Sequence, residues 1–70
     1  MDPLFRYNID RLRTDMALRG WGPVDLAHRA HVSDETVYRF LKRQTQTSRT
    51  AHRLSRALGY SVRRYLEVRD

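Results

Sequence analysis

The stretch Pro23–Arg43, PVDLAHRAHVSDETVYRFLKR, constrains the fold more than any other part of the chain. Gly22-Pro23 reads as a helix cap followed by the first helical residue. Val24, Leu26, Ala27 and Ala30 then supply the apolar positions of a short helix that runs to about Ala30. His31-Val32 is a turn. Ser33 caps a second helix, and Asp34 and Glu35 occupy its first turn, where negative charge suits the helix dipole. Val37, Phe40 and Leu41 make an inward stripe at i, i+3 and i+4, while Asp34, Glu35, Tyr38, Arg39 and Lys42 lie on the opposite face. Helices this short are marginal alone, so their apolar faces must be buried against one another and against further helices.

The remaining chain supplies such helices. A first one is expected over about 8–19, capped by Asn8 and carrying Ile9, Leu12 and Met16 at helical spacing. Gly20 closes it, and Trp21 reads as a packing residue. The polar run Arg43-Gln44-Thr45-Gln46-Thr47 is a loop. Thr47 or Ser48 caps a fourth helix over about 48–58, with Ala51, Leu54, Ala57 and Leu58 inward and Gly59 as its left-handed end. Ser61 starts a fifth, over about 62–67, with Val62, Tyr65 and Leu66 apolar. No period-2 strand pattern stands out. The expectation is a single all-α domain of five helices, at about 8–19, 23–30, 34–42, 48–58 and 62–67. Its expected core is Leu12, Met16, Leu26, Ala27, Val32, Val37, Phe40, Leu41, Leu54 and Leu58.

Composition narrows the function. Seventy residues form one small domain, which buries only about 60% of the surface its unfolded chain exposes. There is no cysteine, hence no disulfide framework and no thiolate metal site, which fits a cytoplasmic chain. No apolar run reaches membrane-spanning length, and the first ten residues do not read as a secretory signal. The net charge is +6 and unevenly placed. Residues 1–38 carry five basic and six acidic side chains, whereas residues 39–70 carry nine and two. The excess therefore begins at Arg39. Of the fourteen basic residues all but Lys42 are arginine, whose fork matches phosphate and guanine edges. Such a surface concentrates near polyanions through counterion release.

A helix-turn-helix needs a small residue where its helices cross, met by Ala27, apolar inward positions on the second helix, met by Val37 and Phe40, and an outward face able to reach base edges. The ordered segments LAHRAHVSDETVYRFLK, a polar loop, and TSRTAHRLSRALGYSVRRYL resemble the lambda-repressor-like family, of Cro/CI or XRE type. Leu26-Ala27 stands where that family opens the motif with Leu-Ala. Val32-Ser33 stands where V-S precedes the recognition helix, and Leu58, Gly59 and Ser61 match its closing Leu-Gly and Ser. The resemblance covers about residues 9–66. The chain departs from it at Pro23, where Gln is frequent, at His31, where Gly is usual, and at Asp15, where an apolar residue is common.

The resemblance implies that Ser33, Asp34, Glu35, Tyr38, Arg39 and Lys42 face the major groove. It implies that Arg43, Gln44, Thr45, Gln46, Thr47 and Arg49 hold phosphates. Arg39 is the expected base reader, since a bidentate pair to guanine is the commonest specific contact. Asp34 or Glu35 can accept from a cytosine amino group; alternatively they favour the helix N-terminus, or Glu35 holds Arg39 in an i, i+4 pair. Lys42 and Arg43 suit phosphates. Arg49, His52, Arg53 and Arg56 read as a solvated face or a secondary phosphate contact, as do Arg63 and Arg64.

The expected function is that of a sequence-specific double-stranded DNA-binding transcriptional regulator, a phage or bacterial repressor acting at the nucleoid. Two copies would occupy half-sites about 34 Å apart. Their contact would come from Val62, Tyr65, Leu66 and Val68, or from Leu4, Phe5 and Tyr7, unless the chain pairs only on DNA. Alternatives are an antitoxin-type or adaptor module acting through a protein partner, and a non-specific nucleic-acid binder. His28, His31 and His52 do not assemble a convincing metal set, and no catalytic arrangement or phosphate loop is legible. No enzyme activity, cofactor, metal or small-molecule ligand is expected.

Overall fold

The computed structural model describes residues 5–68. The elements are β1 (Phe5–Tyr7), α1 (Ile9–Leu18), α2 (Pro23–Ala30), α3 (Asp34–Leu41), α4 (Ser48–Ala57), a 3₁₀ turn (Val62–Tyr65) and β2 (Leu66–Val68). The domain is small and mostly helical, with four α-helices rather than five among the described residues. The expected fifth helix over 62–67 is a single 3₁₀ turn, because Leu66 leaves it in an extended conformation (φ −80°, ψ 137°). The chain then pairs antiparallel with β1, Arg6 opposite Glu67 and Tyr7 opposite Leu66. This two-stranded sheet also corrects the expectation that strands are absent. Each strand has three residues, too few to display an alternating pattern, and its partner lies at the far end of the chain. The backbone N–H of Asn8 donates to the Tyr65 carbonyl at 2.6 Å and locks the junction.

Local chemistry fixes each helix start. The Asn8 side chain accepts from the Arg11 N–H, Ser33 from the Thr36 N–H and Thr47 from the Thr50 N–H. At Gly22 the order is reversed: its own N–H donates to the Asp25 carboxylate at 3.0 Å, while Pro23 begins the helix without losing a needed donor. Gly20 (φ 71°) and Gly59 (φ 86°) follow α1 and α4 in the left-handed region, where a Cβ is penalised.

His31 takes that same region at φ 59°, ψ 43° and ends α2. Left-handed geometry costs an L-residue with a Cβ roughly 1–2 kcal/mol, part of which glycine forfeits through its freer unfolded chain. His31→Gly is therefore expected to stabilise the domain by about 0.5–1 kcal/mol, read as a higher urea midpoint at constant m. A lower midpoint would show that the His31 side chain contributes more than its backbone costs.

The core gathers one face of every helix. Leu12, Met16, Leu26, Ala27, Val37, Phe40, Leu41, Leu54 and Leu58 are buried, with Ile9, Ala30, Ala51 and Tyr65. Val32 is half-buried at the rim of this cluster. α2 sits between α3 and α4 and packs on both. The Tyr7 and Phe40 rings meet at 5.4 Å, tying β1 to the back of α3. Tyr65 is only 3% exposed and Val62 packs on the core. Tyr65 thus has little surface left for the expected contact between copies, whereas Val62 stays partly exposed. Leu66 is half-buried in β2. Leu4 and the side chains of Phe5 and Val68 lie outside the described residues. No helix among the described residues is long and apolar enough to cross a membrane.

One charged residue belongs to the core. Asp15, on the inner face of α1, is 1% exposed. Its carboxylate accepts from Arg64 Nε at 2.7 Å, Arg64 Nη2 at 3.0 Å and the Tyr65 hydroxyl at 2.6 Å. The Arg64 hydrogen bonds outweigh burial and, with the Tyr65 hydroxyl, hold the Asp15 carboxyl below its ordinary value. Burial first, then the Asp15 hydrogen bond, pushes the Tyr65 phenol upward.

Candidate nucleic-acid interface

α2, the three-residue link 31–33 and α3 form two eight-residue helices in tight succession. The Val32 N–H donates to the Ala27 carbonyl at 3.0 Å, folding the link back onto α2. Ala27 is fully buried, and its small side chain permits close approach at the helix contact. Val37, Phe40 and Leu41 point inward, so the other side of α3 is left to solvent. Asp34, Glu35, Tyr38, Arg39 and Lys42 are all exposed there. The geometry thus places on one face the α3 residues that the sequence singles out.

Their engagements differ. Arg39 Nη2 donates to Glu35 Oε1 at 2.7 Å, an i, i+4 pair in which both side chains remain more than half exposed. Such a pair is worth only about 0.3–0.5 kcal/mol, so Arg39 can exchange it for another acceptor at little cost. Ser33 is occupied as the α3 cap, and its hydroxyl also meets that of Thr36 at 2.8 Å. Tyr38 is 44% exposed, and Lys42 caps the C-terminus of α3.

The loop after α3 is held from within. Arg43 adopts φ 61°, and its Nη1 donates to the Tyr7 carbonyl at 3.2 Å. Gln46 Nε2 donates to the Phe40 carbonyl at 3.0 Å. Thr47 caps α4 through the Thr50 N–H. Arg43, Gln46 and Thr47 therefore shape the loop, whereas Gln44 and Thr45 on the loop and Arg49 in the first turn of α4 present exposed side chains. A guanidinium has five donors, so Arg43 keeps others after its bond to β1.

A chain of stacked arginines and aromatics is not legible in the sequence. Arg29 lies 4.4 Å from the Trp21 ring centroid and Arg19 5.6 Å from it. Arg19 is also 5.4 Å, and Arg64 4.2 Å, from the Tyr60 ring. Two of these guanidiniums spend their edges inside the fold: Arg19 donates to the Leu58 carbonyl, and Arg64 to Asp15. The stack mainly bolts the α1–α2 and α4–3₁₀ junctions together. The signal available in the sequence is Asp15 itself, a carboxylate three residues after Leu12 on an apolar stripe, which demands a cation.

Among the described residues no group of three His, Cys, Asp or Glu side chains is placed to hold a metal ion. No protein-family model, curated protein or solved structure matches this chain.

Proposed function

We propose that the chain is a sequence-specific double-stranded DNA-binding transcriptional regulator of lambda-repressor-like type, acting as a repressor of phage or bacterial kind. The observation that carries this reading is the α2–turn–α3 unit, whose second helix is anchored by Val37, Phe40 and Leu41 and leaves Glu35, Tyr38, Arg39 and Lys42 exposed in one row. A helix of this diameter fits the major groove, and arginine, glutamate and tyrosine are able to distinguish base edges there. Lys42, Gln44, Thr45 and Arg49 then meet the flanking phosphates, and these contacts set register rather than sequence. One copy reads one half-site, and two copies on a two-fold site lie about 34 Å apart.

Selection of bound duplexes from a random library tests this reading directly. A palindromic consensus with half-sites one helical turn apart is the expected result. Absence of any enriched sequence would sink it. The charge excess alone supports a non-specific alternative, which the same selection separates, because purely electrostatic binding does not enrich sequence.

A further inference from the structure

The face of α4 turned away from the core is basic throughout. Arg49, His52, Arg53 and Arg56 recur at i, i+3, i+4 and i+7 and are all exposed, while Ala51, Leu54 and Ser55 are buried on the other side. The helix carries no acidic residue. Arg49 stands in its first turn, where positive charge opposes the helix dipole. Arg56 in the last turn suits the dipole, but the stability of α4 does not call for Arg49 or Arg53.

Between α4 and α2 the same charge lines a shallow cleft of about 290 Å³, formed by Arg29, Arg53 and Arg56 above Ala30 and Ala57. The ion pairs among the described residues use Arg6, Arg39 and Arg64; none uses these three arginines or Arg49. Arg29 Cζ lies over the Trp21 ring, and no hydrogen bond or ion pair among the described residues uses its N–H donors, which are free for another acceptor. Arg53 makes one long contact, 3.5 Å, to the His31 carbonyl. Three like charges thus converge with no ion-pair partner among the described residues.

A larger cleft, about 520 Å³ beside β1 and α1, contrasts with this. It holds four arginines but also three carboxylates. Its arginines are already engaged: Arg6 with Glu67, Arg64 with Asp15, and Arg11 and Arg43 with backbone carbonyls. That cleft sets three carboxylates against its four arginines; the lining of the α2–α4 cleft has none.

We propose that the α2–α4 cleft is a second nucleic-acid contact, separate from the α3 face, in which Arg29, Arg53 and Arg56 hold the phosphate backbone. Its floor is two alanines, which offers none of the aromatic or large apolar anchors that dominate protein–protein contacts. Guanidinium forks pair with phosphate oxygens in a bidentate manner and read no base, so the contact is independent of sequence. The proposal rests on the chain being a nucleic-acid binder, but not on base reading by α3.

The test is the salt dependence of binding to a mixed-sequence duplex. It compares the unaltered chain with Arg29→Gln/Arg53→Gln/Arg56→Gln, and with Arg53→Gln/Arg56→Gln, which spares the Trp21 stack. Thermal unfolding verifies that each variant folds. Removing one phosphate-binding arginine flattens the slope of log K against log salt by about 0.9. At that rate the slope of the triple variant should be shallower by about 2.7 and that of the double by about 1.8. Between 50 and 200 mM salt the affinity of the unaltered chain should fall roughly 40-fold further than that of the triple variant. The ratio of selected to scrambled duplex should stay as it was. An unchanged slope in a folded variant overturns the proposal. So does a ratio that collapses with the slope, which would assign these arginines to the α3 interface. Tighter binding of polyglutamate than of duplex would make the cleft an acidic-polypeptide site instead. A flattened slope in a chain with no sequence preference would leave this site standing while removing the α3 reading; no duplex binding at all would remove both.

Discussion

Asp15→Ala is expected to cost about 3 kcal/mol of folding stability, the lower end of the range for breaking a buried charged set. The figure follows from what the substitution strands. The Asp15 carboxylate is buried and accepts three hydrogen bonds, two from a guanidinium and one from a buried phenol. Removing one member of a buried charged set costs about 3–5 kcal/mol, mainly because the partners are left without compensation. The lower end applies here because the Arg64 side chain is 38% exposed and can recover water. The Tyr65 hydroxyl cannot, and α1 keeps only the Arg11 bond to the Arg64 carbonyl as a side-chain tie to the 3₁₀ turn. A seventy-residue domain has only about 3.5–10 kcal/mol in total. The melting temperature should fall by about 12–24 °C, at roughly 4–8 °C per kcal/mol. Tyr65→Phe should cost less, because the carboxylate keeps both arginine bonds. A loss below about 1 kcal/mol in Asp15→Ala, the scale of an ordinary neutral hydrogen bond, would mean that the cluster contributes little to holding the ends of the domain together.

The same cluster sets a pH window. The Asp15 carboxyl titrates below 3.8 in the fold. Its stabilisation is therefore complete at pH values above that ordinary value and is lost as pH falls through the depressed one. The Tyr65 phenol titrates above its ordinary 10.0, so its share is intact below that ordinary value and is lost as pH rises beyond it. Between these limits the cluster adds no slope to stability. In Asp15→Ala, urea midpoints should lose part of their acid-side decline relative to the unaltered chain.

The α2–turn–α3 segment was legible because its information is local. Gly22-Pro23 and Ser33 mark the helix starts, and Val37, Phe40 and Leu41 mark a buried stripe within two turns. The end of the chain was not legible for the opposite reason. Val62, Tyr65 and Leu66 have spacing compatible with a helix, and only pairing with β1, some sixty residues away in sequence, draws Leu66 into extended geometry. Asp15 gave a warning without an address. A carboxylate on an apolar stripe requires a cation, yet Arg63 and Arg64 satisfy that requirement equally until the fold selects Arg64. The basic face of α4 was visible as a periodic row, but Arg29 joins it only through the packing of α2 on α4. Likewise, the outward face of α3 could be read as a set of residues, while the pairing of Arg39 with Glu35 is one of several alternatives that only the folded geometry decides.

That pairing shapes the second large effect. Arg39→Ala is expected to lower discrimination between a selected duplex and its single-base variants by about 1–3 kcal/mol, or roughly 5- to 150-fold. Arg39 Nη2 gives one hydrogen to Glu35 Oε1, which leaves its second hydrogen and those of Nη1 for the O6 and N7 acceptors of a guanine. Holding a flexible side chain near its working direction reduces the entropy cost of binding. The pair itself is worth only about 0.3–0.5 kcal/mol, so it orients Arg39 without competing with the base. Glu35→Ala should therefore bind scrambled duplex more tightly, because a negative charge has left the outward face of α3. It should also discriminate less, because Arg39 is no longer steered. Competition between selected and altered duplexes at fixed salt measures both effects. Equal losses on selected and scrambled duplex in Arg39→Ala would make Arg39 a phosphate contact, and the selectivity of α3 would then have to come from Glu35 and Tyr38.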